Sequence, residues 1–311
     1  MCDFRELPKP SYDYDVNEIT EAYKKALDDV QSELQRVDLP DFSRSNAQAV
    51  YAQITVILTN LAKKTKEWVA RVIPKAAYDG IARTLLALGL ASNRKQALKK
   101  AKLNPINQHA VAAAIADTQT DLLAVTDNVT KRVRAAVRKA VAETMRSQMA
   151  TGVNGRRTIT ADVLKRIRKT LGDSADNAII DAAGRKWKIE HYVDVVAQTK
   201  LMDVHNEATI NEALSREVLY AVISSHGATD ACRYHEGRII RLTDAGDTKY
   251  PTYDALRASR QIWHPKCKHT ISPIRVPENL SEKRRTLAES QGELSDRALA
   301  TGKRNPDLSE R

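Results

Sequence analysis

The chain has 311 residues, and its 50 lysines and arginines against 39 aspartates and glutamates give it a formal net charge of +11. Its length suits two or three domains of roughly 100–200 residues each, and its scarce glycine (11), proline (10) and phenylalanine (2) favour long helices over turn-rich sandwiches or barrels. Three cysteines exclude a disulfide scaffold, and no apolar run reaches the roughly 18–20 residues of a membrane span. The start of the chain lacks signal-peptide features, so we expect a reducing, cytoplasm-like compartment.

Residues 1–106 are predicted to form an N-terminal helical region. Apolar residues recur at spacings of three or four from Ile19 to Val37, which places them on one face of a helix. A second helix follows and is expected to stop or kink near Pro74, because proline removes a hydrogen bond from the helix interior. A third closes at Gly89, and Ser92 is predicted to be the N-cap of a short basic helix.

Residues 107–216 are predicted to form a central helical region built around one long helix. The segment 107–149 contains neither glycine nor proline, and its apolar residues form a single stripe. One helix, or two with a break near Thr118–Thr120, accounts for this pattern. The segment Gly152–Gly155 indicates a break in structure, and Ile189–Leu214 is predicted to be a further helix.

The pattern changes after this region, and a small α+β module is predicted over residues 217–277. Glu217–Ser225 is short, apolar and rich in β-branched residues, which is typical of a buried strand, and Arg238–Leu242 is a second strand candidate. Residues 278–311 are charged and poor in large apolar residues, so we expect a flexible tail with some helix at most. The predicted fold class is therefore mainly α, with long helical regions followed by a small α+β module.

The predicted module contains a cluster of cysteines and histidines. Cys232-x2-His235 and His264-x2-Cys267 each have the two-residue gap of a zinc knuckle, in which a tight turn directs both side chains at one ion. His269 follows closely and is an alternative to His264 as the fourth ligand. These five residues are the predicted zinc site. A metal-free cluster held by histidine hydrogen bonds is the alternative, because this mixed order is less specific than paired C-x-x-C motifs.

The signature of an enzyme is incomplete. Zinc deaminases combine H-x-E with P-C-x-x-C, but here Glu236 follows His235 directly, so its carboxylate would point away from a metal. No G-x-S-x-G, P-loop or G-x-G-x-x-G motif occurs. We therefore expect a protein that is not an enzyme. Two alternatives are kept: a nucleic-acid-binding protein with a small zinc module, and a zinc-dependent hydrolase or deaminase.

An ordered set of short motifs resembles a known family. The motifs are Asp181-Ala-Ala-Gly184-Arg185-Lys-Trp187, His205-Asn206-Glu207, Ser224-Ser225-His226-Gly227, Cys232 with Glu236-Gly237-Arg238, Tyr250-Pro251 and His264-Pro265-Lys-Cys267-Lys-His269. Over roughly residues 135–275 their order resembles the tailed-bacteriophage minor capsid proteins, the group similar to the phage Mu F-like head-morphogenesis family. The chain departs from the family pattern at Thr229, where another cysteine is common, and at His235, where an aromatic residue is common.

The resemblance implies a capsid component that is present in few copies and is needed in head assembly. The portal protein and the major capsid protein are the implied partners, packaged DNA is a further contact, and assembly in several copies is expected. The implied location is the virion capsid, after assembly in the host cytoplasm. The modest basic surplus is then best explained by the solvated faces of helices rather than by a DNA-reading surface.

Overall fold

The computed structural model describes residues 6–37, 44–150, 161–176, 179–180 and 186–308. These ranges are mainly helical and contain a small three-stranded antiparallel sheet in the C-terminal region, so the predicted fold class is confirmed. The helices are α1 (Asp13–Gln35), α2 (Arg44–Ala87), α3 (Arg94–Lys100), α4 (Pro105–Ala150), α5 (Ala161–Asp176), α6 (Ile189–Leu214), α7 (Tyr253–Ala258) and α8 (Glu282–Ala300). The strands are β1 (Ile179–Ile180), β2 (Lys186–Trp187), β3 (Tyr220–Ile223), β4 (Ile239–Arg241) and β5 (Ile271–Ile274). The predicted break at Gly152–Gly155 and the motif Asp181–Arg185 lie outside the described residues.

The long helices are less interrupted than expected. Helix α4 runs unbroken through Thr118–Thr120, and α6 has the predicted bounds. Of the two expectations at Pro74, a stop or a kink, the stop is wrong, because α2 continues through this residue. Ile73 and Ala76 beside the proline are fully buried, and their packing offsets the hydrogen bond that proline removes. None of the helices in the described ranges combines the length and apolar character that a membrane crossing needs.

Helix α3 begins one residue later than predicted. Its N-cap is Asn93, whose side chain accepts a hydrogen bond from the Gln96 amide at 2.9 Å. The Gln96 side chain in turn accepts a hydrogen bond from the Ser92 amide at 2.7 Å. This arrangement differs from a capping box, because Gln96 accepts from the amide before the N-cap rather than from the N-cap itself. It still satisfies two amides that would otherwise lack partners.

The chain folds as two compact units, each built from several segments. The first unit comprises Met1–Asp13, Ala70–Ala116 and Gln198–Arg311, and the second comprises Tyr14–Val69 and Asp117–Ala197. The predicted division into residues 1–106, 107–216, 217–277 and 278–311 remains a prediction about domains.

The core of the second unit is helical and contains buried aromatic anchors. Tyr23 is fully buried in α1, and its hydroxyl donates a hydrogen bond to the carbonyl of Leu122 in α4 at 2.7 Å. The indole N–H of Trp68 in α2 donates to the carbonyl of Asp15 at 2.8 Å. These bonds satisfy the polar ends of large buried rings, as buried tyrosine and tryptophan require.

The three-stranded sheet of the first unit has the order β4-β3-β5, and all its pairs are antiparallel. Ala221 and Ile223 belong to one apolar cluster, whereas Val222 between them belongs to a second cluster. This alternation is the period of two that a strand imposes, so both faces of the sheet are covered. The first of these clusters includes Cys232 and Cys267.

Helix α8 corrects the expectation of a flexible tail. Ala288, Ser295 and Ala298 are buried on this helix. The guanidinium of Arg238 donates to the Ser295 hydroxyl and, at 2.6 Å, to the Asp296 carboxylate. The buried side chains are small, so composition alone does not reveal that this helix packs on the module.

Candidate metal centre

Cys232 is held by a single helical turn that follows β3. The turn spans Ala231–Tyr234, and the Asp230 carboxylate caps it by accepting a hydrogen bond from the Cys232 amide at 3.1 Å. Asp is a favoured residue at the start of a helical turn for this reason. Cys232 is only 2% exposed, so its thiol faces the interior of the module.

His264 and Cys267 are brought together by a tight turn. The Cys267 amide donates to the His264 carbonyl at 2.9 Å. Trp263 has a φ of 53° and Lys266 has a φ of 66°, which is the left-handed region that residues with side chains rarely adopt. Such conformations persist where surrounding structure holds them, and they are concentrated at functional sites.

The two thiols and two of the histidines lie side by side. The distance between Cys232 Sγ and Cys267 Sγ is 3.7 Å, and Cys267 Sγ is 3.3 Å from His269 Nδ1. On the other side, Cys232 Sγ is 3.2 Å from His264 Nε2. Two sulfurs bound to one zinc ion at about 2.3 Å with tetrahedral angles lie about 3.8 Å apart. The thiol separation therefore fits one ion between them.

Within the described ranges the candidate ligand atoms fall into three groups. One joins His226, Glu236 and His269, and the other two share Cys232. The atoms of Cys232, Cys267 and His269 all lie within 4.8 Å of one another, and so do those of Asp230, Cys232 and His264. The group of Cys232, Cys267 and His269 is fully buried. His264 Nε2 also lies 3.0 Å from the Asp230 carboxylate, so this ring belongs to the group of Asp230 and Cys232.

Glu236 fixes the orientation of His269. Its carboxylate lies 3.1 Å from His269 Nε2, on the ring edge opposite Cys267. The same carboxylate accepts hydrogen bonds from the amides of His226 at 2.9 Å and Ala228 at 3.0 Å. Metal-binding histidines commonly have a carboxylate in this position, because it fixes the tautomer and raises ligand basicity.

The pKa values of the cysteines and of His269 shift because these groups hydrogen-bond one another. The hydrogen bond with Cys232 and the proximity of His269 hold the pKa of Cys267 well below its usual value, and the same bond raises the pKa of Cys232. Burial alone would lower the pKa of His269, but its hydrogen bonds to Cys267 and Glu236 outweigh burial and raise it. A thiolate is the form of cysteine that binds metal.

His235 is the one predicted ligand that the structure places elsewhere. It is fully buried, its Nε2 lies 3.0 Å from the Gln261 side-chain oxygen, and its Nδ1 lies 2.7 Å from the Ser295 hydroxyl. Both ring nitrogens therefore have other partners, and Cys232-x2-His235 does not act as a knuckle here. Burial lowers the pKa of His235 to about 4, which keeps the ring neutral.

Two carboxylates of the cluster are absent from the predicted site. Asp230 contacts His264, and Glu236 contacts His269. Glu236 has a sequence signal, because it belongs to the Glu236-Gly237-Arg238 motif and Gly237 has a φ of 78° that suits glycine. Asp230 has no signal beyond its position two residues before Cys232.

Comparisons with known proteins identify a family that this chain matches. The family described as Phage minor capsid protein 2 matches residues 43–300. A relative named "Structural protein" from Lactococcus phage LL-H is 32% identical over 82 residues, which is 24% of this chain and 22% of that protein. No solved structure matches the chain. The family match covers most of the chain and confirms the resemblance to phage minor capsid proteins, which are virion components. The chain therefore belongs to the phage minor capsid protein 2 family.

Proposed function

We propose that this structural capsid protein acts without catalysis and associates with the portal vertex and the capsid during head assembly. The family match over residues 43–300 carries the proposal. The burial of Cys232, Cys267 and His269 supports the absence of catalysis, because buried ligands leave little access for a substrate. Closed sites of this kind are structural, whereas a catalytic metal keeps one position open.

The portal contact is tested by cross-linking mass spectrometry of purified heads. Cross-links from this chain to the portal protein and to the major capsid protein are the expected result. Heads whose portal is removed genetically should lose the chain, whereas their content of major capsid protein should persist. Cross-links to tail proteins alone would contradict the proposal.

A zinc ion is the proposed cofactor of the C-terminal module. Cys232, His264, Cys267 and His269 would hold it, and Glu236 would orient His269. A bound ion would stabilise the folded module, because the ligands converge only in the native state. The distance of 3.7 Å between the two thiols is the observation that supports this part of the proposal.

Elemental analysis of the purified chain tests the zinc proposal. We expect about one zinc ion per chain, lost in Cys232→Ser and in Cys267→Ser. Cys2→Ser is the matched control and should retain the metal. His235→Gln should also retain it, whereas His269→Gln should lose it. A folded protein without zinc would overturn this part of the proposal.

Contact with packaged DNA is the third part of the proposal. The net charge of +11 supports it, since a basic surface attracts phosphate without reading sequence. Such binding is electrostatic, so salt dependence is the property that tests it.

A further inference from the structure

A pocket in the first unit lies apart from the proposed zinc ligands. It has a volume of about 450 Å³ and lies between the N-terminal segment 7–11 and α2, with Arg94 of α3 and His205 of α6 also lining it. Pockets of this size hold a small ligand or a few side chains of a partner.

The pocket contains a buried arginine without an anionic partner. Arg83 is 4% exposed. Its guanidinium donates to the carbonyls of Ile271 at 2.7 Å and Pro8 at 3.0 Å, and to the Ser272 hydroxyl at 3.0 Å. All three acceptors are neutral, and within the described ranges no carboxylate forms an ion pair with Arg83. Burial lowers the pKa of Arg83 to about 10, which reflects the cost of this uncompensated charge.

Nearby acidic residues are engaged with other groups. The negative charge of Glu6 raises the pKa of Arg83. The Glu6 carboxylate, however, accepts a hydrogen bond from the Ser225 amide at 2.9 Å and lies 3.7 Å from the Arg284 guanidinium. Asp79 lines the pocket and pairs with Arg94 at 2.6 Å. The acidic groups here therefore leave a surplus of positive charge.

Other lining groups add to this surplus. Lys9 is exposed at the pocket, so its ammonium group can reach a ligand. His205 is buried, and its Nε2 has no hydrogen-bond partner in the part of the chain that the structure describes. A bound oxyanion is the kind of partner that these groups share, because it accepts from several donors at once.

We propose that this pocket binds a carboxylate of an acidic segment in another head protein. The choice of partner rests on the proposed function, whereas the preference for a carboxylate rests on the pocket. Leu7, Pro8 and Leu86 contribute apolar wall, which suits the aliphatic stem of a glutamate and a neighbouring apolar residue. A DNA duplex presents its phosphates on a convex surface, so it does not fill a concave pocket of this kind.

Fluorescence anisotropy with the full chain tests the proposal. The probe is a fluorescein-labelled octapeptide of alternating glutamate and leucine, and the comparison peptide has glutamine in place of glutamate. We expect saturable binding of the glutamate peptide with a Kd below about 1 mM, and at least about tenfold weaker binding of the glutamine peptide. Inorganic phosphate should compete with the glutamate peptide.

Charge-removing variants locate the binding site. Lys9→Ala should weaken peptide binding at least about fivefold, because its ammonium group lies at the pocket. Lys95→Ala removes the same charge from an exposed site that does not line the pocket, and should change Kd less than about twofold. Circular dichroism of each variant checks that the fold is retained.

Several outcomes would overturn the proposal. They are equal binding of both peptides, no saturable binding, or equal effects of Lys95→Ala and Lys9→Ala. Binding of a DNA duplex that is lost in Lys9→Ala, without peptide binding, would assign the pocket to nucleic acid instead. None of these outcomes bears on whether the chain contacts the portal, so the two proposals fail separately.

Discussion

At the scale of single residues, the absence of one side chain allows α2 and α6 to meet in the first unit. A Cβ atom added to Gly80 would lie 2.2 Å from the carbonyl oxygen of His205. The Thr209 hydroxyl lies 3.2 Å from the Gly80 carbonyl, and the Thr84 hydroxyl donates to the Thr209 carbonyl at 3.0 Å. A Cβ atom at residue 80 would clash with the backbone of α6, so rotating a side chain could not relieve the clash.

Gly80→Ala should therefore destabilise the protein by at least about 2 kcal/mol, because the two helices must move apart. Gly292→Ala in α8 is the matched control, since no atom lies within 4 Å of its added Cβ. This control should be neutral or stabilising by about 0.5–1 kcal/mol, because alanine favours helix. Urea unfolding followed by circular dichroism measures both changes, and equal midpoints would contradict the close approach.

His205 should make stability depend on pH. Burial, and then the charge of Arg83, lower the pKa of His205 from an ordinary value of 6.5 to about 3. The unfolded chain therefore takes up a proton first as the pH falls. The stabilisation that neutral His205 gives the folded state is fully present above about pH 6.5. It is lost as the pH falls towards 3, at up to about 1.4 kcal/mol per pH unit.

Urea unfolding at pH 7 and at pH 5.5 checks this prediction. His205→Gln should reduce the loss of stability between these two values. His109→Gln is the matched control, because His109 is exposed on α4 and should leave the loss unchanged. If the wild-type chain and His205→Gln lose the same free energy of unfolding between pH 7 and pH 5.5, this ring does not control the pH dependence.

Residue-level prediction of the proposed metal site was partial for a physical reason. Sequence spacing places Cys232 and His235 within one turn, but it does not show where each ring points. The structure directs His235 to Gln261 and Ser295, which lie 26 and 60 residues further along the chain. Such long-range partners are invisible to spacing, whereas the turn from His264 to Cys267 is local and was predictable.

At the scale of elements, helical periodicity predicted α6 with its observed bounds, and the β-branched segments predicted β3 and β4. Strand β5 was not predicted, because Pro273 lies within it. The sheet order places β5 at an edge, where proline is tolerated since one side of the strand has no partner in the sheet.

The packing of α8 gives a prediction at this scale. Ala298 is fully buried on this helix, whereas Ala300 is exposed two residues later. Ala298→Gln should cost about 1–3 kcal/mol of stability, because a larger polar side chain must enter a filled space. Ala300→Gln should change stability by less than about 0.5 kcal/mol. Similar losses in thermal unfolding for the two variants would argue against a packed α8.

At the scale of the whole molecule, the net charge of +11 predicts that any binding to DNA depends on salt concentration and not on base sequence. Binding to duplex DNA should weaken by at least about tenfold between 50 and 200 mM salt, because association releases counterions from the phosphates. It should also be similar for unrelated sequences. Anisotropy of labelled duplexes at several salt concentrations measures both properties, and binding that is independent of salt would contradict the electrostatic account.

Family membership makes the virion the place where this account is tested. Quantitative mass spectrometry of purified, DNA-filled heads compares the amount of this chain with that of the portal and major capsid proteins. The account predicts that the chain is present in the heads, in fewer copies than the major capsid protein, and that it remains after washing in high salt. Its absence from heads, while it is abundant in the infected-cell lysate, would contradict the central claim.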